Sequence, residues 1–378
     1  GGLSSDAQKN TVGGTNAGDS FTGTDANDNT LIGYDAGTAI TTADSNTFLG
    51  SNAGKSTTTS ANNVFVGYKA GEDNVTGGSN TYIGDSAGEN CTNDNNTCIG
   101  KGAGAGTNGS VSGNGGNTCI GVDAGSKLTS GRDNVLIGAS CGFNFTEAER
   151  CVFIGGGGQV YTHTTGNYNV GIGYGSGGAD STTSSYNTSI GTSAGANLTS
   201  GESNTLLGYR AGTTNSPSGS VSSGDNIICL GDNDVTDLYC SDTSISSSDK
   251  RDKTDVTDFT HGLKWINQLK PVTYRWDKRT WYNEYNEDGS LKTTGTPDGS
   301  KKKAKQNIGF LAQDVLAIEQ ADGFASKKDD MLVVNLNEDD SAYGLKYERL
   351  VPVLVNAIKE LSAKVETLET KVAALESA

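Results

Sequence analysis

The side chains best able to do chemistry here are seven cysteines, two histidines, scattered carboxylates and a Ser-rich, charge-mixed stretch from Ser244 to Val256. Cys91, Cys98, Cys119, Cys141, Cys151, Cys229 and Cys240 contain no C-x-x-C pair, and His163 and His261 are the only imidazoles. Zinc ligands are therefore scarce, and neither a metal nor a cofactor is expected. The odd cysteine count also excludes complete pairing within one chain. Paired carboxylates about 5–10 Å apart would suit polysaccharide cleavage, but the acidic residues fall one or two per repeat with no inserted loop to gather them. The Ser-rich stretch reads, on composition alone, as a solvated linker.

The elements that must position these residues bury little apolar surface. Of 378 residues 54 are glycine and 33% are hydrophobic, which argues against a large conventional core. A net charge of −16 disfavours a nucleic-acid partner, and no apolar run approaches membrane-spanning length, so no membrane insertion is expected. Gly1-Gly2-Leu3-Ser4 has no signal-peptide pattern, and with Met331 as the only methionine the chain is expected to be a fragment or processed product. Up to residue 247 there are 8 basic and 22 acidic residues, against 20 and 22 beyond it, and all three tryptophans lie in the second part. The spacing predicts a shaft over 1–243 and a second domain over 244–378.

The first part repeats N-[TV]-x-[IL]-G-x-x-A-G, with copies starting at Asn29, Asn46, Asn63, Asn80, Asn96, Asn117, Asn134, Asn169, Asn187 and Asn204. An altered copy starts at Asn10, a degenerate one runs Arg150 to Gly155, and a partial one runs Asn226 to Gly231, giving 13 copies at a mean period of 18 residues. That period is too short for helical hairpins, and the alternation within a unit is that of a strand. Each unit reads as one coil of a β-solenoid: a short strand, a glycine turn, and a polar return, with the asparagines stacking as an amide ladder. At about 4.8 Å per rung, 13 coils extend roughly 60 Å. Ala36, Ala53, Ala70 and Ala87 beside the second glycine suggest close approach of another backbone, hence a homotrimer. Cys98 and Cys119 occupy the strand's inward position and read as core fillers. These repeats resemble the β-roll heads of trimeric bacterial adhesins and the repeat shafts of phage and large-virus fibre proteins, although the adhesin repeats are shorter.

Downstream, Leu263 to Leu269 is an amphipathic helix and Lys270-Pro271-Val272-Thr273-Tyr274-Arg275-Trp276 contains a strand. Lys301, Lys302, Lys303 and Lys305 read as a solvated basic loop, His163 as exposed, and His261 as a bystander. The tail over 345–378 carries Leu350, Leu354, Ile358, Leu361, Val365, Leu368, Val372 and Leu375, a coiled-coil seam. The fold class is thus an all-β repeat shaft followed by a small α+β domain ending in a coiled-coil helix.

The order S-D-x-R-x-K at Ser248, L-K-P-V-x-Y-x-W at Leu269, G-F-x-A-Q-D-V at Gly309 and Tyr347-x-x-Leu350 resembles the intramolecular chaperone of endosialidase-type tail spikes. The resemblance covers 248–378 and implies a domain that trimerises, guides folding of the preceding β-structure, and then releases itself by cutting at Ser247-Ser248. It further implies Ser248 as nucleophile and either Lys253 or Asp249 as its base. The chemistry is reasonable: a serine attacks a carbonyl once a base removes its proton, and desolvation lowers a lysine's pKa. In extended backbone, residues five apart lie roughly 16 Å from each other on opposite faces, so Ser248 and Lys253 need a turn or a neighbouring subunit to meet. Arg251 and nearby N–H groups are candidates to stabilise the oxyanion. A virion tail fibre or spike is therefore expected, made in the host cytoplasm, with a host-cell surface receptor and other tail proteins as partners. A bacterial surface adhesin with the same domain and a solenoid polysaccharide depolymerase are the alternatives.

Overall fold

The computed structural model describes residues 2–22, 24–106, 115–156, 165–178, 183–235, 237–239, 248–285 and 291–377. His163, Cys240 and Ser247 lie outside the described residues. The chain forms two compact units, Gly1–Asp232 and Asn233–Ala378.

The first unit is a β-solenoid whose three-residue strands join one sheet in strict sequence order. After an antiparallel start at Ser4–Ser5, strands from Thr11–Gly13 to Ile228–Leu230 pair in parallel. Equivalent residues face each other from rung to rung, as Leu31↔Phe48, Phe48↔Phe65 and Phe65↔Tyr82 do. The middle residue of each strand points inward because strand side chains alternate. Phe48, Phe65 and Tyr82 consequently stack at centroid distances of 4.7 and 4.8 Å with planes within 6°. Cys98 and Cys119 continue this column in full burial. Burial also pushes the Cys91 and Cys141 thiols up to about 12, away from the reactive thiolate.

Beside the strands runs the amide ladder. Asn46 Oδ1 accepts the Asn63 backbone N–H at 3.0 Å, and Asn63 Oδ1 accepts that of Asn80 at 2.9 Å. Each buried asparagine thereby satisfies a backbone donor that water cannot reach. The ladder corrects two repeat boundaries. Arg150 and Asn226 adopt φ of 54° and 58°, the left-handed turn before the rung. Cys151 and Ile227 hold the ladder position instead, their N–H groups donating to Asn134 Oδ1 and Asn204 Oδ1 at 3.0 and 2.9 Å. The alanines require another correction: Ala36, Ala53, Ala70 and Ala87 are wholly buried in the chain's own coils, so their small size serves packing within one chain. They offer no surface to a second backbone.

The glycine that ends each strand stands where two coils touch. Gly121 has φ of 133°, and a Cβ added there would sit 2.5 Å from the Gly138 carbonyl oxygen and 2.6 Å from its carbon. Both partners are backbone and cannot move aside. Gly121→Ala is expected to destabilise the shaft by at least about 2 kcal/mol, read as a fall in its urea midpoint; an unchanged midpoint contradicts this packing.

The second unit pairs Val272–Tyr274 with Asn307–Gly309 and Val334–Leu336 with Tyr343–Leu345, both antiparallel. Among its described residues the α-helices are α1 (Leu263–Ile266), α2 (Ala312–Ala321) and α3 (Leu350–Glu376). Trp265, Val315, Ile318, Val333, Val334, Leu350 and Val353 form its core. Helix α1 is only four residues long, and α3 starts at Leu350 instead of 345 because Tyr343–Leu345 is taken up in the hairpin. Leu350 and Val353 face the core, whereas Leu354, Ile358, Leu361, Val365, Leu368, Val372 and Leu375 are exposed along the rest of the helix.

Candidate processing site

The residues after Ser248 do not continue as extended chain. Lys250–Asp252 forms a single 3-10 turn with Asp249 as its N-cap, Asp249 Oδ1 accepting the Arg251 N–H at 2.9 Å. An aspartate at that position supplies the acceptor that an exposed helix start lacks. The turn folds the backbone back on itself and brings Lys253 Nζ to 2.6 Å from Ser248 Oγ. The distance expected of extended chain is therefore removed locally, within one chain.

Asp249 is not placed like Lys253. Its carboxylate receives Arg251 Nε at 3.0 Å and Nη2 at 2.6 Å, besides the cap bond. The Arg251 guanidinium holds the Asp249 carboxyl below its ordinary value, which makes it a poorer proton acceptor. Arg251, in turn, is occupied by Asp249 and points into solvent, its side chain 88% exposed. Ser248 and Lys253 are also exposed. The Ser247 side of the bond lies outside the described residues.

His261 belongs to a different cluster, which sequence reasoning did not find. Its Nδ1 lies 3.3 Å from Asp322 Oδ2, and the same carboxylate accepts Trp265 Nε1 at 2.5 Å and pairs with Lys264. The His261 ring packs against Phe259, Trp265 and Phe324. These groups are far apart in sequence, and only the D-G pair after α2 hints at a chain reversal there. The Lys264 and Trp265 bonds hold Asp322 below its ordinary value of 3.8. A carboxyl whose folded pKa is depressed stabilises the fold fully above the unfolded pKa and loses that contribution as pH falls through the folded one. The melting temperature of the second unit is thus expected to drop as pH falls below 3.8, and Asp322→Asn to remove that part of the drop. Equal acid sensitivity of parent and variant contradicts this assignment.

Among the described residues no group of three or more His, Cys, Asp or Glu is placed to hold a metal ion. Among them, too, no helix is long and apolar enough to cross a membrane.

Residues 248–324 match the chaperone of endosialidase family. Comparison with curated proteins and with solved structures returns no match. The matched segment opens on Ser248 and contains the Ser-Lys pair, the α1 cluster and α2. A chaperone-of-endosialidase domain behind a β-solenoid shaft fits a protein of the tail fibre or tail spike type.

Proposed function

We propose that this chain is the distal part of a virion tail fibre or spike that attaches to a host-cell surface receptor. The part of its second unit from Ser248 onward drives assembly of a homotrimer and then releases itself by cutting Ser247-Ser248. The observation that carries this reading is the 2.6 Å contact between Lys253 Nζ and Ser248 Oγ at the first residue of the family match.

In the cut, neutral Lys253 takes the Ser248 hydroxyl proton as Oγ adds to the Ser247 carbonyl carbon. The C–N bond breaks, the proton passes to the departing nitrogen, and the acyl group rests on Oγ. Water then hydrolyses this ester, leaving a carboxylate on Ser247 and restoring the Ser248 hydroxyl. Lysine acts as a base only without its proton, a form that desolvation favours. Lys253 is exposed in one chain, so the covering surface comes from a neighbouring subunit, and assembly gates the reaction. The exposed row from Leu354 to Leu375 on α3 supports such assembly, being an apolar seam left uncovered among the described residues.

Native mass spectrometry tests the assembly. The Ser248→Ala chain is expected to run as three copies, and residues 1–247 made alone are expected not to reach a soluble trimer. A dimer, or a shaft that assembles equally well without the second unit, contradicts the reading.

A further inference from the structure

The basic loop is only in part the solvated stretch its composition suggests. Residues 276–282 and 300–305 brace one another: Lys303 N–H donates to the Trp276 carbonyl at 2.9 Å, and Lys301 N–H to Tyr282 Oη at 2.9 Å. Lys303 Nζ lies 4.7 Å from the Trp281 ring centroid, and Lys278 Nζ lies 5.2 and 5.7 Å from those of Trp276 and Trp281. From this brace, three contacts reach one upstream stretch. Lys278 Nζ donates to the Asn233 carbonyl at 2.7 Å, Trp281 Nε1 donates to the same oxygen at 3.2 Å, and Lys305 Nζ meets Asp237 Oδ1 at 3.0 Å. The residues gripped are Asn233 and Asp237, and Asp237 with nearby Asp234 is complementary in charge to the lysines.

A cut before Ser248 places the two sides of this grip on different products. Residues 233–237 stay with the upstream piece, and residues 276–305 leave with the downstream one. We propose that the grip of Lys278, Trp281 and Lys305 retains the upstream product after the cut, so that bond cleavage and domain release are separate steps, the second governed by ionic strength. Its biological meaning rests on the proposed cleavage; its contacts exist in the uncut chain.

Salt acts on this grip for a physical reason. The Lys305 side chain is 72% and that of Asp237 43% exposed. Screening shrinks from about 8 Å at 0.15 M to about 3 Å at 1 M salt, which weakens such a pair and the surrounding attraction. In a trimer three grips act together, so a modest weakening of each is multiplied in the retention of the whole.

The test separates the full chain by size exclusion after cutting and scores both fragments on denaturing gels. Retention is counted among cut molecules only, so the cutting rate of a variant does not enter. The fragments are expected to co-elute at about 0.15 M salt, with the co-eluting fraction falling about tenfold or more at about 1 M. The same fall is expected at low salt in Lys305→Glu combined with Trp281→Phe. The salt arm needs no substitution, so a folding defect in the variant leaves the inference testable. Fragments that part at low salt, or that stay together undiminished at high salt, overturn it. A chain that does not cut itself contradicts the cleavage reading alone; a specific protease site inserted between residues 243 and 244 then supplies the break, with the same outcomes for the grip.

Discussion

Lys253→Met is expected to slow cutting of the chain by about 10²–10⁴-fold, the usual range for losing a general base. Asp249→Asn is expected to stay within about tenfold of the parent, because it loosens only an exposed, solvent-screened contact to Arg251. The contrast follows from geometry: Lys253 Nζ reaches Ser248 Oγ, whereas the Asp249 oxygens are committed to the Arg251 side chain and N–H. Lys253→Arg sharpens the test, since arginine keeps the charge and a donor near Ser248 but does not give up its proton. It is expected to be as inactive as Lys253→Met. Time courses on denaturing gels measure all three, and cutting that survives in Lys253→Met while stopping in Asp249→Asn would transfer the base to Asp249.

The largest expected loss of stability follows from Glu319, which lies on α2 and is wholly buried. Its Oε1 accepts the Val333 and Val334 N–H groups at 2.7 and 3.0 Å, and Oε2 accepts that of Leu332 at 3.0 Å. The carboxylate thus caps the turn into the Val334–Leu336 strand and fixes the hairpin that precedes α3. Glu319→Leu removes the buried carboxylate that accepts from those three donors. Leaving buried donors unmade costs about 1–3 kcal/mol each, so a loss of about 3–5 kcal/mol is expected, a large share of a domain's usual 5–15 kcal/mol. Glu319→Gln, which keeps one oxygen, is expected to lose less. Urea unfolding of the second unit, followed by its tryptophans, gives the ordering; a Leu variant as stable as the parent contradicts the role.

The shaft was legible because its physics is local. An inward residue, a ladder asparagine and a turn glycine recur within one 18-residue unit, so each copy carries its own instructions. Where that locality fails, so does the reading. Asn226 looks like a ladder residue by type, yet the register of Leu206 with Cys229 places Ile227 there. The alanines looked like an interface because small residues permit any close approach, including that of the chain to itself. At the junction the residue types pointed to chemistry, but the 3-10 turn that joins Ser248 to Lys253 depends on the Asp249 cap, which a Ser-rich, charged composition conceals. Glu319 and Asp322 were invisible for the opposite reason: their partners lie 13–15 and 57–58 residues away, beyond any local pattern.

Intact mass of the purified chain, set beside its Ser248→Ala variant, tests self-cleavage most directly. The account predicts two fragments from the parent, the downstream one beginning at Ser248, and a single uncut mass from the variant. An uncut parent, a break at another bond, or equal cutting of both chains would contradict it.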